Sequence, residues 1–409
     1  MKIAFIVNVF PKLSETFILY QITGLIDSGH EVDIFAKTNP CEANVHREVE
    51  EYQLMARTYY FNEPRKRCTR LLRTALLLLR NFHKGPGEII RSLMMAKRFG
   101  LSRRASWHYV LPCLGKNYDI IYCHFGPNGN IGALLKASGV KGKILVSFHG
   151  YDMAHSLVEE GTFYKGLFQV GDLFMADSND FRNKLVKMGC PEEKVIIHRM
   201  GVPVNRLKFE ERRFEHGSPL KLMTFCRLTE KKGHEYALQA LANILPKHPN
   251  LSYRIGGAGH LSAALKSLVQ RLGIESHVTF LGELSDAEVE VLRRDSDLFI
   301  HPSVTATDGD TEGCPLAIQE AQACGMPVLS TFHGGIPDLV INGVSGFLVP
   351  ERDVDALTER LDYLIQHPEL WPDMGRAGRQ FVEEHFNITK LNQRLVEIYQ
   401  GLIEGRSVK

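Results

Sequence analysis

Short apolar runs alternate with longer amphipathic stretches along most of the chain. Lys2–Asn8, Val32–Ala36, Ile120–His124, Ile144–Phe148, Leu173–Ala176 and Val195–His198 are apolar, several of them rich in Ile and Val. Runs of this kind suit strands buried on both faces. Between the first two, Phe17, Ile18, Ile22, Leu25 and Ile26 recur at helical spacing from about Glu15 to Ser28, and Gly29 fits the helix C-terminus. A second series follows Pro219: Leu222–Cys226, Ser252–Ile255, Val278–Leu281, Leu298–Ile300, Val328–Ser330 and Gly346–Leu348, again with helical stretches between. The alternation predicts an α/β chain with parallel sheets covered by helices on both faces. It predicts a first domain over 1–200, a polar linker over 201–219 holding Pro203, Gly217 and Pro219, a second domain over 220–385, and a last helix within 386–409.

Composition narrows this picture little. At ~150 residues per domain, 409 residues suit two or three domains. The chain is 44% hydrophobic and 23% charged, as in an ordinary globular protein, and its net charge of +2 points to no class of partner. None of the eight cysteines forms a C-x-x-C pair, so they read as reduced thiols of a cytoplasmic enzyme rather than a zinc or disulfide framework. The apolar start is short and runs into Pro11, Lys12 and Glu15, which suits a first strand better than a signal peptide. No uninterrupted apolar stretch reaches the ~18 residues of a membrane-spanning helix.

Charge does change the picture at 65–104, where twelve Lys or Arg face one acid, Glu88. Leu71, Leu72, Leu76, Leu79 and Phe82 recur at helical spacing inside it. A basic amphipathic helix can lie on an anionic membrane surface, at ~1 kcal/mol per basic residue near the lipid. A solvated face packed on the first domain is the alternative. No nucleic-acid-binding module accompanies the charge.

The candidate chemistry is concentrated in two stretches. In the first, Glu312 and Glu320 stand eight apart with Gly313 and Pro315 between them, ahead of an apolar helical run. Proline at the first helical position would leave the amides of Cys314, Leu316 and Ala317 at an open helix N-terminus, which can hold a diphosphate without a metal. The two carboxylates can accept hydrogen bonds from sugar hydroxyls. In the second stretch, Arg227 follows a strand end and Lys232-Gly233 comes shortly after, a fork and a mobile charge suited to phosphate oxygens. Gly257, in the cluster Gly256–Gly259, would let the backbone approach a ligand. The triplet Asp308-Gly309-Asp310 raises a metal, but cations and helix amides already lie close in sequence, so it is read as shaping the loop that presents Glu312.

The E-x7-E pair Glu312/Glu320, the element Arg227-Leu-x-x-x-Lys232-Gly233 and the element Phe148-His149-Gly150-Tyr151-Asp152 together resemble glycosyltransferase family 4. Phe10–Phe17, His124–Pro127 and Gly309–Gly313 resemble its branch of bacterial exopolysaccharide enzymes, of the colanic acid and amylovoran type. The resemblance spans nearly the whole chain. It implies the GT-B architecture, two Rossmann-like α/β/α domains facing a central cleft, with the last helix crossing back to the first domain. It implies a nucleotide-sugar donor, UDP- or GDP-linked, on the second domain. Arg227 and Lys232 would hold the diphosphate with the amides after Gly313, Glu312 the hexose and Glu320 the ribose. His149 would reach the donor sugar. Ser14, Glu15, Thr16, His124 and Asp152 would line the cleft or touch the acceptor, with His124 either lining it or packing beneath.

It further implies a retaining, metal-independent transfer with no enzyme nucleophile and no cofactor. The acceptor would be a lipid-linked oligosaccharide at the inner face of the cytoplasmic membrane. The first loop departs from the family: many members carry paired glycines where this chain has Pro11-Lys12-Leu13-Ser14-Glu15. That departure argues against close backbone contact with the diphosphate there. The competing readings are a sugar-nucleotide epimerase on the same fold and a non-catalytic assembly scaffold. An oxidoreductase is disfavoured, because no G-x-G-x-x-G follows the first strand.

Overall fold

A computed structural model describes residues 1–41, 45–61, 76, 79, 83, 85–153, 163–214 and 217–407. The chain forms two compact units, one of Met1–His198 with Thr389–Lys409 and one of Arg199–Ile388. Of the sequence-derived basic segment 65–104, residues 65–75, 77, 78, 80–82 and 84 lie outside the described residues; of its helical apolar set only Leu76 and Leu79 lie within them, and both are exposed.

The first unit is built on a parallel sheet ordered β3-β2-β1-β4-β5-β6-β7. Its strands are β1 (Lys2–Val9), β2 (Glu31–Thr38), β3 (Thr58–Tyr60), β4 (Ile120–His124), β5 (Lys143–Phe148), β6 (Leu173–Ala176) and β7 (Val195–Ile197). Helices cover both faces, so the central strands lose contact with water altogether: Ile3, Phe5, Ile6, Val7, Ile120, Ile121, Ile144 and Leu145 are fully buried. Each such side chain contributes about 1.5–3 kcal/mol of transfer free energy. This is why the runs read as continuous rather than alternating. The terminal helix Ile388–Glu404 packs on this unit. Asn392 Nδ2 donates to Tyr20 O at 3.0 Å, and the Tyr399 ring meets Tyr122 at 6.0 Å.

The second unit repeats the plan with a parallel sheet ordered β10-β9-β8-β11-β12-β13. Its strands are β8 (Leu220–Phe225), β9 (Leu251–Gly256), β10 (Val278–Gly282), β11 (Leu298–His301), β12 (Val328–Thr331) and β13 (Gly346–Val349). The stretch read as a polar linker is part of this unit's packing: Arg212 is 7% exposed and donates to Arg293 O at 2.9 Å. Charge and proline made it look like a spacer, whereas carbonyl acceptors supplied by a distant helix end bury it. In both units strand order reverses direction once, between β1 and β4 and between β8 and β11. Loops leaving the carboxyl ends of such neighbours diverge and leave a crevice where ligands bind in open α/β sheets.

Candidate functional site

The second unit's reversal point gathers the charged motif residues. β8 and β11 are hydrogen-bonded neighbours, with Leu222 opposite Leu298 and Met223 opposite Phe299. The chain leaving β8 carries Arg227, Lys231 and Lys232; the chain leaving β11 carries Asp310 and Glu312. A short 3₁₀ turn, Glu230–Lys232, ends at Gly233 with φ +65°. A Cβ there would come within 1.8 Å of Pro302 O, so only glycine lets these two loops touch.

That contact brings Lys232 Nζ to 2.5 Å from Glu312 Oε1, with both side chains about nine-tenths buried. Lys231 Nζ lies 3.0 Å from Asp310 and donates to Thr311 O at 3.3 Å. Buried His301 places Nε2 3.8 Å from Glu312. Burial alone would raise the Glu312 pKa; Lys232, Lys231 and His301 overcome it and hold the carboxyl well below its ordinary range. Arg227 is exposed, and among the described residues its guanidinium is in no ion pair, which leaves its fork available to an anion. Asp308 Oδ1 accepts from the Asp310 amide at 2.9 Å and the Ala306 amide donates to Asp310 O at 3.0 Å, so the triplet folds its own loop.

The helix after Glu312 spans Leu316–Ala323, with Pro315 as its extended N-cap rather than its first residue. The proline shift moves the open turn one residue on: the amides of Leu316 and Ala317 come first in the helix and have no intrahelical acceptor. Gly313 and Cys314 are buried, and Cys314 Sγ accepts from Gln319 Nε2 at 3.0 Å. Glu320 pairs with Arg293 Nη1 at 2.7 Å; burial pushes its pKa up and Arg293 opposes the rise. Gly257 has an internal reason for being glycine. Its amide donates to Gly282 O at 2.7 Å, and a Cβ would meet Cys226 O at 2.0 Å.

In the first unit, titratable groups line the carboxyl edge of the sheet. His124 ends β4, His149 follows β5, Asp177 follows β6 and His198 follows β7. His124 is fully buried, with Nδ1 3.0 Å from His149 Nε2; burial, then the neighbouring His149 and His198, hold its pKa well below the ordinary value. It packs beneath His149 instead of presenting itself to a ligand. His149 sits against Phe17 and Phe125, ring centroids 4.8 and 4.9 Å away, and its Nδ1 is 3.6 Å from Asp177. Asp152, read as a cleft residue, lies inside its own loop. Its carboxylate is fully buried and accepts from the amides of Gly126, His149 and Gly150 at 2.8, 3.0 and 2.9 Å, which braces the loop that carries His149. Ser14 is exposed, Glu15 pairs with Lys12 at 2.7 Å, and Thr16 opens the first helix.

The second unit thus combines cations, helix-start amides and two carboxylates along one sheet edge, a set that can bind a diphosphate and orient hydroxyl groups beside it. Sequence reasoning passed over Lys231, Arg293, His301, His333 and Glu351 here, and Asp177 in the first unit. Most of them lie at or just after a strand's carboxyl end, and that position was the signal available for them. Among the described residues no group of three or more His, Cys, Asp or Glu is arranged to hold a metal ion, every cysteine is a free thiol, and no helix is long and apolar enough to cross a membrane.

Known proteins resemble this chain in sequence and in fold. The family described as "Glycosyltransferase Family 4" matches residues 14–206, and "Glycosyl transferases group 1" matches 208–381. WcaL of Escherichia coli K12, named as a colanic acid biosynthesis glycosyltransferase, is 38% identical over 98% of this chain and 100% of its own. The amylovoran biosynthesis glycosyltransferase AmsK of Erwinia amylovora is 34% identical over the same shares. In fold, Anabaena HepE, solved in complex with UDP, superposes with a TM-score of 0.72 at 18% identity, covering 98% of this chain and 100% of HepE. The chain belongs to glycosyltransferase family 4: it is a glycosyltransferase of the GT-B fold, akin over nearly its whole length to proteins of bacterial exopolysaccharide biosynthesis.

Proposed function

We propose that the enzyme moves a hexose from a UDP- or GDP-linked sugar to a lipid-linked oligosaccharide, with retention at the anomeric carbon and without a metal or cofactor. The observation that carries this reading is the second unit's reversal point, where Lys232 meets Glu312 and Lys231 meets Asp310 beside an open helix start. Arg227, Lys232 and the amides of Leu316 and Ala317 take the diphosphate, Glu312 the hexose hydroxyls and Glu320 the ribose. In the transfer, the bond from the anomeric carbon to the diphosphate oxygen breaks and the electron pair leaves with the nucleoside diphosphate. The acceptor hydroxyl oxygen forms the new bond on the same face, and its proton passes to the leaving phosphate. Fixed positive groups beside that phosphate stabilise the charge as it develops.

For the acceptor, Ile90 and Met94, 53% and 62% exposed one turn apart on the helix Pro86–Met95, support docking of the basic segment on anionic lipid. Co-sedimentation with anionic but not neutral vesicles tests that part. The transfer reading is tested by binding and slow hydrolysis of UDP-, GDP-, ADP- and dTDP-sugars in EDTA, with Glu312→Ala alongside. Selective use of one donor, insensitive to EDTA and lost in the variant, is expected. No donor bound, or a strict need for a divalent metal, overturns it.

A further inference from the structure

Glu312 is held by its main chain as well as by its carboxylate. Its N–H donates to His333 Nε2 at 3.0 Å, and its C=O accepts from the Gly335 amide at 3.0 Å. His333 is fully buried just after β12, and its other nitrogen, Nδ1, lies 2.7 Å from Glu351 Oε1. These two contacts decide where the imidazole proton sits. A backbone N–H can only donate, so Nε2 carries the lone pair. A carboxylate can only accept, so Nδ1 carries the hydrogen.

Glu351 is fixed in turn, accepting from the Thr305 amide at 2.7 Å and from Thr305 Oγ1 at 3.3 Å. Burial works against its charge, but the Thr305 amide and His333 keep its pKa below the ordinary range. One neutral ring therefore ties together the loops after β11, β12 and β13. The opposite tautomer, or a doubly protonated ring, would set N–H against N–H at Glu312.

We propose that His333, held in its Nδ1–H form by Glu351, is a positioning residue for Glu312 and sets where that carboxylate meets the transferred sugar. This rests on the role given to Glu312 above. It predicts an effect on the sugar and none on the nucleotide.

The test uses the full chain with His333→Leu, His333→Gln, Glu351→Leu and Glu312→Ala. Imidazole ¹⁵N shifts, assigned by the signal lost in His333→Gln, should show a protonated Nδ1 and an unprotonated Nε2. His333→Leu should lose about tenfold to a hundredfold in kcat/KM for the sugar donor, mostly in kcat, the scale of a misplacement of ~1 Å. Its affinity for UDP, GDP, ADP or dTDP alone should stay within about twofold of the parent. Glutamine, whose side-chain oxygen can accept from the Glu312 amide, should restore most of the loss. Glu351→Leu should shift the ring's protonation and reproduce the loss, which keeps the test open if His333→Leu does not fold. The opposite tautomer, an imidazolium at neutral pH, parental turnover in His333→Leu, or an equal fall in nucleotide affinity each overturns the proposal. Glu312→Ala separates the two failures. If it is inactive while His333→Leu is active, only the positioning role falls; if it is itself active, the role of Glu312 falls first and the positioning role with it.

Discussion

Replacing Lys232 by methionine removes the charge nearest to a buried carboxylate and keeps most of the side-chain volume. At 2.5 Å and an effective dielectric of ~20, the gross attraction between Lys232 and Glu312 is about 7 kcal/mol. Desolvating two side chains that are only 11% and 8% exposed offsets much of it. What survives a single deletion is an uncompensated buried charge, at about 3–5 kcal/mol. Lys231 and His301 remain near Glu312, so the lower end of that range is expected. The second unit can be followed by itself. The chain's two tryptophans are Trp107 in the first unit and Trp371 in the second, so Trp107→Phe leaves Trp371, fully buried, as the single reporter. In that background, urea unfolding of Lys232→Met, Glu312→Gln and the double variant completes a cycle. The double variant should be less destabilised than the sum of the singles by about 2 kcal/mol or more. Additive effects within about 0.5 kcal/mol would refute the pairing and, with it, the reasoning for an ionised Glu312.

Acid should act on both units through buried neutral histidines. Burial lowers His198 in the first unit and His234 in the second to about 4 from an ordinary 6.5, so the unfolded chain takes up protons that the folded chain refuses. Each contributes stability that is present above pH ~6.5 and lost as pH falls towards ~4, about 3 kcal/mol in all. His198→Leu should flatten that part of the first unit's acid-unfolding curve, and an unchanged slope would refute it. The sign is the same for Glu312, whose depressed pKa means its contribution persists above the unfolded carboxyl range and is lost only at more acid pH; Glu312→Gln should remove the most acidic portion of the second unit's curve. Arg293→Met leaves burial unopposed at Glu320, costing about 1–3 kcal/mol at pH 7 that acidification relieves as the carboxyl protonates. Stability equal to the parent at every pH would count against it. Gly233→Ala drives a Cβ into Pro302 O at a left-handed φ and should cost about 2 kcal/mol or more together with donor binding; a stable, active variant would show that the two loops need not touch.

The central strands were legible because burial on both faces writes a run of apolar residues with no polar interruption. β3 was not: Thr58–Tyr60 is three residues long, lies at the sheet edge and leaves Tyr59 exposed, so its pairing with β2 carries no local signature. The helix at Pro86–Met95 falls within the stretch read as a basic helical segment, but the positive charge drew attention to the surface and away from buried Ile89, Phe99 and Val110. At the site, Glu312, Glu320, Lys232 and Arg227 sit in spaced motifs and could be read directly. Their partners could not. Arg293 reaches Glu320 across 27 residues and His333 reaches Glu312 across 21, and such pairings exist only after the sheet has brought strand ends side by side. Asp152 was read for its company in a motif, and the three amides its buried carboxylate collects could not be seen from that motif.

The helix that closes the chain has a bearing on how the protein is made. Its Asn392 and Tyr399 complete surfaces formed by Tyr20 and Tyr122, which come 372 and 277 residues earlier. The 190 residues of the second unit lie between. At a synthesis rate of ~5–20 residues per second, the first unit waits roughly 10–40 s for its last piece. Over that interval the second unit, contiguous in sequence, can finish first, while the first-made half of the enzyme carries an open apolar seam. Co-translational assembly therefore runs against the order of the genetic message, and the waiting seam is the place where a holding chaperone would be needed.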